Sequence, residues 1–137
     1  EYSDTYGKLY NFYAAADPRN LCPSGWHVPS YDEWKPLVNS NGGGYIAGGK
    51  LKEAGTQHWK KTQTVVTDSL GFKALPSGYR NSDGSYGGLG VDCAFLTSTE
   101  ASGTRANGMN MVDSLVYIYY MTGPKTTGLS IRCIMDN

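Results

Sequence analysis

The first half of the chain carries a helix-type spacing of apolar residues behind a helix start signal. Ser30 and Glu33 match the capping box, in which each side chain bonds the backbone N–H of the other residue. This motif predicts a helix over residues 31–39. The apolar residues that follow at the spacing of one helix face are Trp34, Leu37 and Val38. A second short helix is predicted over residues 46–54, with Leu51 as its main apolar anchor.

Short apolar segments predict strands, most of them after Gly71, where the pattern changes to period two. Polar or glycine-containing breaks separate these segments, and the sequence NSDGS at residues 81–85 predicts a turn. The predicted strands cover residues 9–13, 72–76, 93–97, 109–112, 115–121 and 129–135. Helices early in the chain and strands late in it indicate the α+β class.

Composition narrows the class of protein. With 137 residues, the chain is expected to form a single domain over residues 1–137. Its 18 glycines and 11 tyrosines indicate many turns and close backbone approaches rather than a helical bundle. The formal net charge is zero, which argues against nucleic acid or an anionic membrane as the partner. No apolar run approaches the ~20 residues that span a bilayer, so direct membrane insertion is not expected.

The cysteines and histidines do not have the spacing of a zinc site. Cys22, Cys93 and Cys133 form no CxxC pair, and two of the three could form one disulfide. The residues alone leave that pairing open. We interpret His27 as a packed structural histidine and His58, in a polar loop, as a surface residue.

Candidate catalytic groups are scattered. The carboxylates of the second half are Asp83, Asp92, Glu100 and Asp113, and spacing alone does not bring two of them to a glycosidase separation. The turn at residues 81–85 has one carboxylate and lacks the bidentate Glu of a calcium loop. The glycine clusters match neither GxGxxG nor a Walker loop. The sequence therefore predicts no catalytic residue, no metal site and no cofactor.

Six motifs carry a family resemblance over nearly the whole chain. They are YGKLYNFYAA at residues 6–15, LCPSGWHVPSYDEW at 21–34, GGKLKEAGTQHW at 48–59, GFKALPSGYRNSDGSY at 71–86, TSTE at 97–100 and GLSIRCIMD at 128–136. In this order they resemble the Fibrobacter succinogenes major paralogous domain family. The resemblance implies a secreted or lipid-anchored surface protein of Bacteroidetes-type or Fibrobacter bacteria.

The resemblance also implies a C-type-lectin-like fold, in the version shared with formylglycine-generating enzymes and with variable proteins of diversity-generating retroelements. We expect two early helices on a small twisted antiparallel sheet, with the first and last strands close together and long loops in the second half. In that fold Cys22 and Cys133 lie in motifs near the two chain ends, so a disulfide between them is implied, and Cys93 is expected to be free and buried. The residues expected to form the core of the first half are Trp26, Trp34, Leu37, Val38 and Leu51.

Two departures from the family pattern fall in the second half. Phe95 and Leu96 stand where the family usually has an aromatic–Trp pair, and Asn107 stands roughly where it tends to have a Trp. Either a diversified binding surface or ordinary divergence would produce these differences. We expect the binding surface between Asp92 and Tyr120, at Asp92, Ala94, Phe95, Thr104, Arg105, Asn107, Asn110, Tyr117 and Tyr119.

The expected function is non-enzymatic ligand binding at a bacterial cell surface. The partner is an unknown protein or glycan, and the domain is expected to be secreted or held at the surface, with any lipid anchor in a segment outside this chain. Calcium-dependent sugar binding of the animal-lectin kind is not expected, because the tripeptides that supply its oxygen ligands do not occur here. Two alternatives are a structural or adhesive-tip module and an enzyme of the formylglycine-generating type, although the cysteine pair of that chemistry has no counterpart here.

Overall fold

Short helices precede a five-stranded sheet in this α+β chain. A computed structural model describes residues 2–137. The helices are α1 (Tyr2–Tyr6), α2 (Phe12–Ala15), α3 (Tyr31–Ser40) and α4 (Ala47–Leu51). The strands are β1 (Trp26–His27), β2 (Ser77–Arg80), β3 (Tyr86–Leu89), β4 (Asp92–Glu100), β5 (Arg105–Val112), β6 (Tyr119–Pro124) and β7 (Ile134–Met135).

The main sheet is mixed and curled. Its strand order is β3-β2-β4-β5-β6, and β1 pairs with β7 in a separate two-stranded ribbon. β2 runs parallel to β4 at the pair Gly78 and Cys93, whereas the other pairings are antiparallel. The β4–β5 register shifts between Leu96 and Glu100, which bends the pair. The expected antiparallel sheet is therefore mixed, because β2 runs beside β4 in the same direction.

Strand β4 separates two apolar clusters. Cys93 and Phe95 belong to the cluster under α3 and α4, whereas Ala94 and Leu96 belong to the cluster under α2. Successive side chains of a strand point to opposite faces, so this strand is buried on both of them. The cluster under α3 and α4 also contains Trp34, Val38, Leu51 and Trp59.

Helix α3 begins at the predicted capping box. The Ser30 hydroxyl accepts a bond from the Glu33 backbone N–H, and the Glu33 carboxylate accepts one from the Ser30 N–H, at 3.2 and 2.8 Å. Trp34 and Val38 are buried as predicted. Because the start signal and the apolar spacing agree, this helix was predictable to within one residue at its end.

The predicted strand at residues 9–13 is wrong. Tyr10 makes a single bridge with Leu129, and the chain then turns into helix α2. The Asn11 side chain accepts a hydrogen bond from the Ala14 N–H at 3.0 Å and so caps this helix. The apolar run therefore divides between a bridge and a helix, and the first half holds four short helices where two were expected.

Three other predicted strands are displaced. In residues 72–76 Ala74 alone makes a bridge, to Lys52, and β2 starts after that segment. In residues 129–135 the first two residues make isolated bridges, and β7 is limited to the end. Residues 115–118 lie outside β6, since their backbone bonds to the helix layer instead of to β5.

The two ends of the chain are joined by the β1–β7 ribbon and by the predicted disulfide. Cys22 and Cys133 are bonded, with their Cα atoms 6.0 Å apart. Cys93 is free and buried, and burial raises the pKa of its thiol. Trp26 pairs with Met135 in the ribbon and is 41% exposed, so the expectation that it is a core residue is wrong.

His27 connects this ribbon to helix α3. Its Nδ1 lies 2.6 Å from Asp136 Oδ1, and its Nε2 lies 2.8 Å from Glu33 Oε1. Its side chain is 38% exposed, so His27 is a structural histidine through these two contacts and is only partly packed. The hydrogen bonds to Asp136 and Glu33 raise the pKa of the imidazole above its usual value. These two hydrogen bonds connect the end of the chain after β7 to the start of α3.

We predict that the Cys22–Cys133 bond accounts for a large part of the stability. In the chain-entropy model a bond that closes a loop of this size, with a sequence separation of 111, contributes about 4–5 kcal/mol. Alkylation of the denatured, unreduced protein should add one label, on Cys93, and reduction should lower the denaturant midpoint. A peptide that links Cys93 to either of the other cysteines would contradict the assignment.

We also predict that His27 makes stability depend on pH. The pKa of His27 is raised in the folded state, so its contribution is complete below the unfolded value near 6.5 and is lost as pH rises through the folded pKa. Solvent screens this exposed group, which limits the effect to less than about 1 kcal/mol. Denaturation of the wild type and His27→Gln between pH 5.5 and 8.5 should show a difference that shrinks as pH rises, and a constant difference would refute this role.

Candidate functional site

Two of the predicted site residues are in the core. Ala94 and Phe95 lie in β4 and are buried. The Phe95 ring stacks on Trp34, with the ring centroids 5.4 Å apart, and meets Phe72 edge-on at 5.7 Å. The expectation that these two residues contact a ligand is therefore wrong, because both faces of β4 are covered.

A second group lies at the turn between β4 and β5. Thr104 and Arg105 are exposed there, and Asn107 is half-buried. The Arg105 guanidinium folds back on the neighbouring strand, where its Nη2 donates to the Thr122 carbonyl at 2.8 Å. The group is thus accessible, although Arg105, its one cationic residue, already donates a hydrogen bond to the neighbouring strand.

A third group lies at the other end of β5. Asn110 is the register partner of both Ala94 and Tyr119, and its Nδ2 donates to the Tyr119 hydroxyl at 2.8 Å. Asn110 is five positions from Arg105 along β5, and a strand of that length spans about 17 Å. The structure therefore divides the predicted surface between two places and does not bring its residues into one site.

Asp92 lies apart from both groups, at the start of β4. It is half-buried, and its burial, with a smaller contribution from the charge of Asp113, raises the pKa of its carboxyl group. Its side chain lies beside the backbone of Gly88, where an added Cβ would stand 2.5 Å from Asp92 Oδ2. Asp92 therefore packs against the β2–β3 ribbon.

Further tyrosines lie on and beside the outer strand β6, in which Tyr119 and Tyr120 point to opposite faces. Tyr31 from the start of α3 packs on Tyr120, with the ring centroids 4.4 Å apart. Tyr45, which lies just before α4, meets Tyr117 edge-on at 5.1 Å. With Tyr119, these residues form what we call the tyrosine edge: Tyr31, Tyr45, Tyr117, Tyr119 and Tyr120. The sequence prediction missed Tyr31, Tyr45 and Tyr120.

Three glycines hold the chain that leads into β6 against the helix layer. The Gly49 N–H donates to the Val116 carbonyl at 3.1 Å, and the Gly44 carbonyl accepts from the Ile118 N–H at 2.8 Å. A Cβ on Gly48 would stand 2.5 Å from the Tyr117 carbonyl oxygen. The absence of a side chain at this position therefore lets the Tyr117 segment approach α4.

Lys52 fixes the same segment from beneath. Its Nζ donates to the carbonyls of Val112 and Leu115 at 2.9 and 2.7 Å and lies 4.7 Å from the ring centroid of Trp59. Burial lowers the pKa of Lys52 to about 8. The ammonium thus satisfies one carbonyl at the end of β5 and one in the segment that leads to β6.

The tyrosine edge combines accessibility with fixed geometry. Tyr45 is 76% exposed, and Tyr117, Tyr119 and Tyr120 are each 37–39% exposed. Lys35 lies 4.9 Å from the centroid of Tyr31 and pairs with Asp32 at 2.6 Å. Burial raises the pKa of Tyr120 above its usual value, so its phenol stays neutral at physiological pH. The surface can therefore offer ring faces together with hydroxyl donors and acceptors.

The remaining polar pair of note is not at this surface. His58 Nδ1 lies 2.7 Å from Glu53 Oε2, and the His58 and Glu53 side chains are 19% and 7% exposed. The interpretation of His58 as a surface residue is therefore wrong.

Within residues 2–137 no group of three or more His, Cys, Asp or Glu side chains is arranged to hold a metal ion. No helix in that range is long and apolar enough to cross a membrane.

Comparison with known protein families identifies the family of this chain. A family model described as the Fibrobacter succinogenes major domain matches residues 1–135. The chain therefore belongs to this family, as its motifs indicated. No curated protein and no solved structure matches the chain.

We predict that Gly48 is required for the position of the Tyr117 segment. Gly48→Ala should lower the free energy of unfolding by about 1–3 kcal/mol, because overpacking against a backbone carbonyl outweighs the helix propensity of alanine. Gly103→Ala is the matched control, since an added Cβ there meets nothing within 4 Å. Chemical denaturation of both variants measures the difference, and a stabilised Gly48→Ala protein would contradict the close approach.

Proposed function

We propose that this chain is a non-enzymatic ligand-binding domain of a bacterial secreted or surface protein, and that the tyrosine edge is its contact surface. The observation that carries the proposal is the collection of five tyrosines from three separate segments along one outer strand. Tyr45, Tyr117, Tyr119 and Tyr120 stay exposed in this arrangement, which supports a role in binding.

Tyrosine suits such a surface for physical reasons. Its ring supplies a large apolar area with few rotatable bonds, and its hydroxyl group keeps a hydrogen-bonding function. The ring contacts between Tyr31 and Tyr120 and between Tyr45 and Tyr117 restrict these side chains before any ligand arrives. Less conformational entropy is then lost on binding, so more of the contact energy contributes to affinity.

The proposed fold is the C-type-lectin-like one. Two features support it, namely the pairing of β1 with β7 and the disulfide that joins residues near both ends. The disulfide also supports the proposed location outside the cytoplasm, because structural disulfides persist in oxidising compartments. Both features belong to the motifs by which the chain resembles its family.

The state of the cysteines favours binding over chemistry of the formylglycine-generating type. Cys22 and Cys133 are bonded to each other, and Cys93 is buried with a raised pKa. A thiol acts as a nucleophile in its thiolate form, which such burial disfavours.

The second-half departures from the family pattern are proposed to reflect diversification of binding. Arg105 is exposed at the start of β5 and Asn107 is half-buried two positions later, which supports this proposal, whereas Phe95 is a core residue and does not. A comparison of coding DNA between sibling copies of the domain is the direct test. Differences concentrated in the codons for exposed side chains of residues 104–120 would support diversification. Evenly spread differences would indicate ordinary divergence.

We predict that the tyrosine edge is needed for partner binding and not for folding. The purified domain should be applied to protein and glycan arrays beside the triple variant Tyr45→Ala, Tyr117→Ala, Tyr119→Ala. The variant should lose its array signals while its melting temperature falls by no more than about 5 °C, because the three side chains are exposed.

Tyr13→Ala provides the matched control. Tyr13 is 59% exposed and lies in α2, away from the tyrosine edge. This variant should keep every array signal. A triple variant that binds like the wild type would refute the proposed surface, and an absence of any wild-type signal would favour the structural-module alternative.

A further inference from the structure

A large cleft lies at the outer strand β3, at the other end of the sheet from the tyrosine edge. Its volume is about 890 Å³, within the range of pockets that hold small ligands. Helix α1 forms one wall, and the β2–β3 ribbon forms the other. β3 is the outer strand at this end of the sheet, so the cleft and the tyrosine edge are separate sites.

Two half-buried tyrosines are fixed inside the cleft. The Tyr79 ring lies against the backbone of its register partner Gly87, where an added Cβ would stand 2.9 Å from the ring. Tyr6 meets the His58 ring edge-on at 5.6 Å, and His58 is in turn held by Glu53. These contacts give both rings one defined orientation, which is the preorganisation that a binding site needs.

Two further tyrosines lie at the mouth of the cleft. Tyr2 is 66% exposed, with its ring centroid 6.5 Å from that of Tyr6, and Tyr86 is 74% exposed. The guanidinium of Arg80 lies 5.9 Å from the centroid of Tyr86. Four aromatic rings thus surround the space from both walls.

The charged side chains that line the cleft are all cationic. Among the described lining residues these are Lys8, Lys60 and Arg80, and the lining includes no carboxylate. None of the three forms a salt bridge within residues 2–137. The charge of Arg80 contributes to the lowered pKa of Asp83, whose carboxylate accepts hydrogen bonds from the Ser85 N–H and hydroxyl group. The cleft therefore has a local positive charge in a chain whose net charge is zero.

We propose that this cleft binds an acidic saccharide, with sugar rings against the tyrosines and carboxylate groups at Arg80 and Lys60. The C–H groups of a sugar ring are slightly positive and match the negative face of an aromatic ring. The planar guanidinium of Arg80 matches a carboxylate with two parallel hydrogen bonds. Tyrosine and serine hydroxyl groups along the walls, including Ser3 and Ser77, can bond the sugar hydroxyls.

The lining favours a saccharide over an acidic peptide. A peptide would be held by apolar pockets for alternate side chains or by backbone pairing with β3. The ends of that strand are tyrosine and leucine, and its centre is the pair Gly87 and Gly88, which provides no side-chain pocket. Hydroxyl groups and ring faces dominate instead, and these are the groups that recognise a hydroxyl-rich ring.

Calorimetry with tetragalacturonate tests the proposal. The domain should bind it saturably, and the affinity should fall as sodium chloride is raised, because salt screens exposed charges. The fully methyl-esterified tetramer has the same rings without the charges, and it should bind at least about tenfold more weakly, since charge-assisted hydrogen bonds are lost. Tetraglutamate, the acidic peptide probe, should bind more weakly than tetragalacturonate.

Matched variants assign the binding to the cleft. The double variant Lys60→Gln, Arg80→Gln should lower the affinity at least about tenfold, whereas Lys61→Gln, Lys73→Gln removes the same charge outside the lining and should leave it unchanged. Tyr86→Ala should weaken binding, and Tyr86→Phe should restore it by keeping the ring face. All of these side chains are exposed, so the variants should melt with the wild type.

Several outcomes would overturn the proposal. The first is the absence of saturable binding at millimolar tetragalacturonate. The second is that the esterified tetramer binds as tightly as tetragalacturonate, and the third is that the Lys60→Gln, Arg80→Gln protein binds tetragalacturonate as tightly as the wild type. The fourth is that tetraglutamate binds more tightly than tetragalacturonate. The triple variant of the tyrosine edge serves as a further control and should bind tetragalacturonate normally. Failure of the cleft and failure of the tyrosine edge are therefore distinguishable.

Discussion

The burial of β4 on both faces is the constraint on which the rest of the structure depends. Its residues from Cys93 to Thr97 are all buried, so each side of the strand must be covered by other segments. α3 and α4 cover one face, and α2 with the segment around Leu129 covers the other. A Cβ on Gly108 would stand 2.9 Å from the Phe95 carbonyl oxygen, so β5 also approaches this strand closely. The loops and edges that are free to bind ligands are those that remain after this packing is complete.

The sequence predicted the elements whose signals are local. The cap and the apolar spacing of α3 lie within ten residues, and the apolar runs in β4 and β5 are continuous enough to identify buried strands. It did not predict the start of β6. The carbonyl of Val116 and the N–H of Ile118 bond to glycines about 70 residues earlier, and this competition with β5 has no signal in the segment itself.

The candidate site was predicted only in part, and the reason for this is similar. Period-two alternation places Phe95 and Tyr119 on definite faces of their strands, but it does not show that both faces of β4 are covered while β6 lies at an edge. Tyr117 and Tyr119 were found because their segment alternates. Tyr31 and Tyr45 belong to the helix layer, and only the folded structure brings them beside residues more than 70 positions away.

The two proposed sites occupy the two outer strands of one sheet. β6 and β3 each have an edge with no partner strand among the described residues, and such edges tend to pair with other chains. Aromatic side chains and α1 crowd these edges, so the groups that are proposed to bind ligands also obstruct edge-to-edge association. Binding and solubility then depend on the same residues, which restricts how freely either edge can change.

The disulfide also determines how the domain responds to mechanical load. Cys22 and Cys133 are separated by 111 positions along the chain, and their Cα atoms are 6.0 Å apart. Tension applied to the polypeptide outside these two residues passes directly through the sulfur bridge, because this is the shorter covalent path. The main sheet, the apolar cluster under α3 and α4, and the tyrosine edge lie within the bypassed loop, whereas α1, α2 and the α1 wall of the cleft lie outside it. Pulling on the chain would therefore detach α1, α2 and β7 while β1 to β6 carry no force.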